Sequence, residues 1–203
     1  KKLASTSHHV VNFLERWPMY DFPHRTSMEV TSDVLLPKYT TNRAFLDELR
    51  VMNRNQKEGT ISGLWNLILN IHFPPSEDFV HRPQYGGTEG YTDIHSSVWI
   101  QHNGAQSRRP TAFLVTQCKR FAKEGQDSAW AEGVRQLNEY LGKIASSSKG
   151  RQYGIYGLVA IGKYVRFYEW DRNNRTVVDL GNGDAYHVKN KGAQVVNLLN
   201  VIK

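Results

Sequence analysis

The stretch TAFLVTQCK, residues 111–119, decides which kind of fold this chain can form. Its first part is almost continuously apolar, which is typical of a strand buried on both faces in the middle of a mixed sheet. Its last part is polar, with Gln117 and Lys119 two residues apart. Because side chains alternate between the faces of a strand, these two are predicted to share one face, and Cys118 to share the other with Leu114.

The segments around this strand predict an α/β protein with a central mixed β-sheet flanked by helices. Upstream, apolar residues recur at three- and four-residue steps in residues 42–53 and 58–72, which predicts two helices. Residues 91–101 alternate between polar and apolar and predict a strand, followed by a loop at 102–110. Downstream, the predictions are a long helix capped by Asp127 or Ser128, strands at 155–161 and 164–170, a hairpin of 175–180 with 185–188, and a terminal helix at 192–202.

Composition places the chain among globular proteins. With 203 residues and 39% hydrophobic residues, it can bury the core of one compact domain, which we predict at 41–203 after an ancillary extension at 1–40. No run of 18 apolar residues occurs, so we expect no membrane partner. A single cysteine, Cys118, excludes a disulfide framework and favours a reducing, intracellular location, with the nucleus as one option. The chain begins with Lys1 and shows no signal peptide, so we expect additional domains of a longer protein.

Charge is unevenly distributed along the chain. Residues 1–57 carry 9 basic and 6 acidic side chains, residues 58–105 carry 1 and 5, and residues 106–203 carry 16 and 8. The net charges of the three segments are therefore +3, −4 and +8. A basic half beside an acidic segment suits a protein that holds a polyanion and gathers carboxylates at one place, although a solvated basic surface without a partner remains an alternative.

The polar end of the central strand needs partners if it is buried. Burying the amide of Gln117 and the ammonium of Lys119 costs several kcal/mol unless they are hydrogen-bonded or paired. Asp93, on the preceding predicted strand, can supply a carboxylate. In the alternative interpretation Lys119 extends from the strand end into water and Asp93 is a turn residue.

The order of these residues resembles the PD-(D/E)XK nuclease superfamily. The matching segments are YTDI at residues 91–94, with Asp93 at the start of a strand, and LVTQCKR at 114–120, followed by a helix. Gln-x-Lys in place of the more common acid-x-Lys is similar to the Mrr-type restriction endonucleases. QLNEY at 136–140 resembles the Gln-x-x-x-Tyr element of the RecB-like branch. The resemblance covers about residues 58–168 and implies a restriction-endonuclease-like fold.

The chain departs from the family pattern at three points. No proline precedes Asp93, Gln117 replaces the acid of the acid-x-Lys motif, and the glutamate of the first helix is not uniquely placed. Glu58 is the first choice for that glutamate because it opens the predicted helix before the sheet, with Glu48 and Glu89 as alternatives.

The resemblance implies metal-dependent hydrolysis of phosphodiester bonds in nucleic acid, in particular DNA, with Mg²⁺ or Mn²⁺ as cofactor. The oxygens that it implies for the cation belong to Asp93, Glu58, the Gln117 side chain and the Cys118 backbone carbonyl. Because Gln117 brings one negative charge fewer than a glutamate, we expect weak metal binding.

The resemblance also implies roles for the other site residues. Lys119 would orient the attacking water or stabilise the pentavalent phosphate, with Gln136 and Tyr140 positioning Lys119 or a phosphate oxygen. Contacts to flanking phosphates, which position a duplex without reading its bases, are expected from four side chains: Arg108, Arg109, Arg120 and Lys123.

The sequence is also compatible with two other function classes. The first is a nuclease-fold module that has lost catalysis and only binds nucleic acid or a protein partner, which the missing acid at Gln117 favours. The second is a protein-interaction domain that uses its five tryptophans and ten tyrosines. Other sites are disfavoured, because the glycine-rich residues 86–90 match no phosphate loop and the eight histidines lack zinc-site spacing.

Overall fold

A computed structural model of the chain describes residues 38–87, 90–101, 107–147 and 154–203, and for residues 85–87 and 90–92 it describes the backbone only. All of them belong to the compact unit Leu35–Lys203. The predicted extension at 1–40 lies outside the described residues apart from its last three. Of these, Tyr39 is buried, and its hydroxyl donates to the Val188 carbonyl at 2.7 Å.

The described chain combines helices and strands in an α/β fold: two helices, three strands, one helix, four strands and a final helix follow one another. The described helices are α1 (Arg43–Val51), α2 (Glu58–His72), α3 (Asp127–Ser146) and α4 (Gly192–Ile202). The described strands are β1 (Phe79–Gly87), β2 (Gly90–Gln101), β3 (Arg108–Lys119), β4 (Tyr156–Ile161), β5 (Tyr164–Asp171), β6 (Thr176–Asp179) and β7 (Tyr186–His187). In the described part of the chain, no helix is long and apolar enough to cross a membrane.

The seven strands form one mixed sheet in the order β1-β2-β3-β4-β5-β6, with β7 paired to β5. Only β3 and β4 run parallel among the described pairs, and α3 connects them. Such a crossover is required because parallel neighbours cannot be joined by a tight turn. The central strand, predicted from residues 111–119, is therefore confirmed: β3 is the strand at which antiparallel pairing changes to parallel.

Both faces of the sheet are covered by helices. Buried side chains of α1, α2 and α4 pack in one cluster with Leu114, Cys118 and Leu158 of the sheet. Buried side chains of α3 pack in a second cluster with Val115 and Val159. Alternate residues of β3 thus face opposite helical layers, and this confirms the predicted separation of Cys118 from Gln117 and Lys119.

Helix boundaries follow from local chemistry. The Asn42 side chain accepts a hydrogen bond from the Phe45 N–H at 3.1 Å and begins α1, as predicted for either Thr41 or Asn42. The boundaries of α2 and α4 also agree with prediction. In α3 the predicted cap is wrong, because Asp127 is already helical and Gln126 precedes it without a side-chain cap.

Two strand predictions need correction. Residues 108–110, predicted as loop, extend β3 because they pair with residues 99–101 of β2. The segments that contain β6 and β7, predicted as a hairpin, do not pair with each other, since both pair with β5. β6 pairs with residues 168–171 of β5 and β7 pairs with residues 164–165, so each short strand pairs with a different end of the longer strand.

Candidate active site

Polar side chains converge at the carboxyl end of β3. The Lys119 ammonium donates to the Gln136 side-chain oxygen of α3, with 2.7 Å between Nζ and Oε1. It also lies 4.0 Å from a carboxylate oxygen of Glu58, the first residue of α2. Lys119 is 16% exposed and Glu58 is 44% exposed, so the pair sits at the rim of the sheet between the two helical layers. Lys119 is therefore held in place, in contrast to the alternative of a lysine extended into water.

The Asp93 side chain forms a hydrogen bond from β2 to β3 just beyond the last paired residues of the two strands. The last paired residues on this side are Ile94 and Thr116. Beyond them, the Asp93 carboxylate accepts the Cys118 backbone N–H, with 2.6 Å between Oδ2 and N. Burial raises the pKa of Asp93, while this hydrogen bond and the charge of Lys119 oppose the rise. The carboxylate is thus fixed beside the strand end, in an environment that penalises its charge.

The Cys118 carbonyl faces the same side as Asp93. The Gly162 N–H, next to β4, donates to the Lys119 carbonyl at 3.2 Å. Because successive backbone groups of a strand point to opposite sides, the N–H and C=O of Cys118 point away from β4 and toward Asp93. The Cys118 thiol is buried on the α2 side, where burial raises its pKa well above the ordinary value.

Gln117 is the least satisfied side chain of the site. It is 2% exposed, and its Nε2 atom has no hydrogen-bond partner. A buried polar group left unpaired costs about 1–3 kcal/mol, and the two ends of an amide exchange by a simple flip. Gln117 shares its face of β3 with Lys119, so it offers one polar atom, either N or O, to a ligand at this strand end.

The Glu58 carboxylate interacts electrostatically with the charged groups of the site. Burial raises its pKa, the charge of Asp93 adds to the rise, and the charges of Lys119 and Arg120 oppose it. Of the three glutamates considered from the sequence, Glu58 is the one that the structure brings to Lys119. Glu48 is exposed on α1, and Glu89 lies outside the described residues.

Tyr140 and Gln136 lie on the flank of α3 that faces the site. Burial raises the pKa of Tyr140, and the charge of Asp93 contributes to the rise, so the phenol lies within electrostatic range of that carboxylate. Gln136 contacts Lys119 with its oxygen and, with its nitrogen, donates to the Glu132 carboxylate at 2.8 Å. Sequence reasoning missed Glu132, although its position four residues before Gln136 on one helix could have indicated it.

The four predicted phosphate contacts are divided between the two ends of β3. Arg120 and Lys123 follow Lys119 directly, in and before the 3₁₀ turn Phe121–Lys123. Arg108 and Arg109 begin the strand, about 36 Å away at 3.3 Å per residue. Arg108 is engaged there by Asp78, with 2.5 Å between the charged groups, and its hydrogen bond lowers the pKa of Asp78. The structure therefore separates Arg108 and Arg109 from the candidate active site.

The oxygen atoms of the site suit one weakly bound hard cation better than a preformed metal centre. In the described part of the chain, no group of three or more His, Cys, Asp and Glu side chains is arranged to bind a metal. Asp93 and Glu58 supply two carboxylates, and Gln117 and the Cys118 carbonyl can add neutral oxygens, the ligand type that Mg²⁺ and Mn²⁺ prefer.

A separate groove of about 690 Å³ lies between α3, β5 and β6. None of the predicted site residues lines it. Its lining includes Trp130, Asn138, Arg166 and Val177, with the Arg166 guanidinium stacked 4.6 Å from the Trp130 ring centre. The polar cluster around Lys119, not this groove, therefore carries the candidate chemistry.

Comparison of the chain with protein-family models, curated proteins and solved structures found no match. The fold and the site together define an α/β protein with a lysine–carboxylate cluster at the end of its central strand.

Proposed function

We propose that this protein hydrolyses phosphodiester bonds in DNA with the help of Mg²⁺ or Mn²⁺. The observation that supports the proposal is the convergence on Lys119 of Gln136 and Glu58, beside a carboxylate, Asp93, bound to the neighbouring backbone N–H. These residues stand on α2, β2, β3 and α3 in the order that the PD-(D/E)XK resemblance implies, which also supports a restriction-endonuclease-like fold.

Electrostatics favour a cation at this site during function. Glu58 and Asp93 bring two carboxylates to the neighbourhood of the Lys119 ammonium, and the charge of Arg120 also acts on Glu58. A phosphate diester carries a negative charge, so its approach needs additional positive charge. A divalent ion held by Asp93, Glu58, the Gln117 oxygen and the Cys118 carbonyl would polarise the phosphate, help ionise the attacking water and neutralise charge that develops in the transition state.

The protein's own groups orient the reactants. Glu132 fixes the Gln136 amide, and Gln136 accepts from the Lys119 ammonium, so two of the donors of Lys119 remain for a phosphate oxygen or the attacking water. Tyr140 adds a hydroxyl donor on the same side of α3. Arg120 and Lys123, next along the chain, would contact phosphates that flank the reacting group.

The test is metal-dependent nicking of supercoiled plasmid. Wild-type protein with Mg²⁺ or Mn²⁺ should nick or linearise the plasmid, and both Asp93→Ala and Lys119→Ala should abolish cleavage while circular dichroism shows intact folding. Exposed residues that belong to neither the site nor the basic residues beside it provide matched controls, Asp184→Ala and Arg172→Ala, which should cleave like wild type. Equal cleavage by wild type and both site variants would show a contaminant and remove the proposal.

One observation favours a second candidate, a module that binds nucleic acid or a protein without cleaving it. Gln117 is neutral where the more common motif has an acid, and the donor set contains only two carboxylates. If this loss accounts for inactivity, wild type will bind DNA without cleaving it, and Gln117→Glu will restore metal-dependent nicking.

A further inference from the structure

Four polar side chains meet at the turn that follows β4, on the same edge of the sheet as Lys119. Lys163 lies in the β4–β5 turn, and Tyr164 begins β5 opposite His187 of β7. The Val188 N–H donates to the Lys163 carbonyl at 2.9 Å, which places Lys189 beside them. The Tyr164 and His187 rings pack edge to face with their centres 5.2 Å apart. We call Lys163, Tyr164, His187 and Lys189 the turn cluster.

The turn cluster concentrates positive charge, which is partly offset by the Glu124 carboxylate at the same turn. Within the described chain, neither Lys163 nor Lys189 forms an ion pair. Lys163 lies 5.4 Å from the centre of the Phe121 ring, and the Glu124 carboxylate accepts its backbone N–H. Burial and then the charges of Lys163 and Lys189 lower the pKa of His187, so these cations lie close enough to repel a further positive charge. Like charges held together are stabilised when an anion binds between them.

The turn cluster is continuous with the candidate active site. Gly162, the residue before Lys163, donates its N–H to the Lys119 carbonyl. Arg120 and Lys123 extend from the same strand end, and the Lys123 N–H donates to the Arg120 carbonyl. Basic residues thus line this edge from the carboxyl end of β3 to the residues before α4, with the Glu124 carboxylate among them.

The chemistry of this edge fits a nucleic acid better than an anionic membrane. Among large apolar or aromatic side chains of the described residues, those that are clearly exposed are Val51, Trp99, Tyr164, Val178 and Val201. Only Tyr164, at 37% exposure, belongs to the turn cluster. Membrane surfaces are bound by an apolar face that enters the bilayer together with basic residues, and this edge provides the charge without the apolar face.

We propose that the turn cluster binds phosphates of duplex DNA next to the bond placed at Lys119, an inference that rests on the proposed function. Lys163 and Lys189 make the ionic contacts. Arg120 and Lys123 contact the phosphates between the turn cluster and Lys119. The duplex therefore crosses this edge of the sheet and not the opposite edge, where Arg108 and Arg109 lie.

The experiment measures the affinity of a fluorescent 20-base-pair duplex by anisotropy, in EDTA, over a range of NaCl concentrations. Lys163→Gln with Lys189→Gln removes two positive charges from the cluster. A matched control, Arg172→Gln with Arg175→Gln, removes two from the far end of β5, about 23 Å away along that strand. Each neutralised phosphate contributes about −0.9 to the slope of log K against log salt concentration. Loss of one such contact therefore lowers the association constant about eightfold at 0.1 M salt.

The cluster variant should therefore bind about 60-fold more weakly at 0.1 M salt, with a slope flatter by about 1.8, while the control stays near wild type. Lys163→Arg with Lys189→Arg keeps the charges and should retain affinity. This variant shows whether weaker binding by the glutamine variant results from lost charge or from misfolding. Equal losses in the cluster and control variants, or an unchanged slope, would overturn the inference. Absent duplex affinity in wild type, with binding to phosphatidylserine vesicles that the cluster variant loses, would overturn it in favour of a membrane.

Failure of this inference is distinguishable from failure of the proposed function. Metal-dependent plasmid cleavage by wild type, with unchanged duplex affinity of the cluster variant, overturns the turn cluster alone. Weakened binding by the cluster variant, in a protein that cleaves nothing, supports the turn cluster and removes the nuclease assignment.

Discussion

At the scale of single residues, Gln117 is the position on which the account depends most. Its amide is nearly inaccessible and its Nε2 atom is unpaired, although it shares a strand face with Lys119, whose ammonium donates to Gln136. A side chain selected only for stability would be apolar here, as Val115 and Val159 are on the same face. The cost of burying Gln117 is therefore best explained by a ligand that it contacts during function.

Gln117→Glu should bind Mn²⁺ with equal or higher affinity, by up to about tenfold, because a carboxylate adds charge to the cation site. Without metal the variant should unfold at a lower temperature than wild type, because the new carboxylate at position 117 is buried and lies near those of Asp93 and Glu58. Isothermal titration calorimetry and thermal unfolding with and without Mn²⁺ measure both effects. Gln194→Glu, an exposed glutamine on α4, is the control and should change neither. Strongly reduced Mn²⁺ binding by Gln117→Glu would mean that the side chain does not face the cation.

At the scale of elements, α3 matters because it carries Gln136 and Tyr140 to the strand end. Its approach to the sheet depends on glycine: a Cβ added at Gly133 would lie 2.5 Å from a methyl of Val159 on β4. The opposite contact is just as close, since a Cβ at Gly157 of β4 would lie 2.4 Å from Leu137 of α3. Glycines on both elements thus allow the helix to lie near enough for Gln136 to reach Lys119.

Gly133→Ala should destabilise the protein by about 1–3 kcal/mol through overpacking, despite the better helix propensity of alanine. Because the helix must shift away from β4, cleavage should fall together with stability. Gly63→Ala on the exposed side of α2, where an added Cβ meets no atom within 4 Å, is the matched control and should stabilise by up to about 1 kcal/mol. Urea unfolding gives both values, and equal effects of the two changes would contradict the described packing of α3.

The elements that sequence reasoning could predict are those with a strong local signal. The period of apolar residues in α2 and α4 and the apolar run of β3 decide these elements without knowledge of their neighbours. The pairing of β6 and β7 with β5 could not be predicted in this way, because two short strands near a turn equally suggest a hairpin. Residues 108–110 resemble a loop and become strand only because β2 offers a paired edge.

The candidate site was predictable to the extent that its residues are close in sequence or on consecutive elements. The strand period assigns Gln117 and Lys119 to one face, and the helix period assigns Gln136 and Tyr140 to one flank. The distance of Arg108 from the site follows from the full length of β3, which its sequence alone did not reveal. The nearness of the turn cluster depends on the parallel pairing of β3 with β4, a contact between residues far apart in the chain.

At the scale of the whole molecule, two half-buried histidines link stability to pH. Burial, with the charge of Lys203, lowers the pKa of His72 to about 4, and burial with the charge of Arg82 lowers that of His95 to about 4. Both are therefore neutral in the folded protein at neutral pH, whereas in the unfolded chain they take up protons below about pH 6.5. Since the unfolded state binds more protons between these values, the free energy of unfolding falls as the pH falls.

Between pH 7 and 5.5, each of these histidines should lower the free energy of unfolding by about 1 kcal/mol, which urea titrations at the two pH values measure. The double variant His72→Gln, His95→Gln removes both groups and should show a smaller pH dependence. A protein as stable at pH 5.5 as at pH 7 would contradict the buried, neutral state of these side chains.

Diffraction from a crystal soaked in Mn²⁺, recorded at a wavelength where manganese scatters anomalously, shows whether a cation binds at Lys119. We expect an anomalous peak at the carboxyl end of β3, about 2.0–2.6 Å from an Asp93 oxygen and the Cys118 carbonyl, with the Gln117 oxygen turned toward it. A well-occupied Mn²⁺ elsewhere, with Asp93 and Gln117 unchanged and without density between them, would contradict a cation site at Lys119.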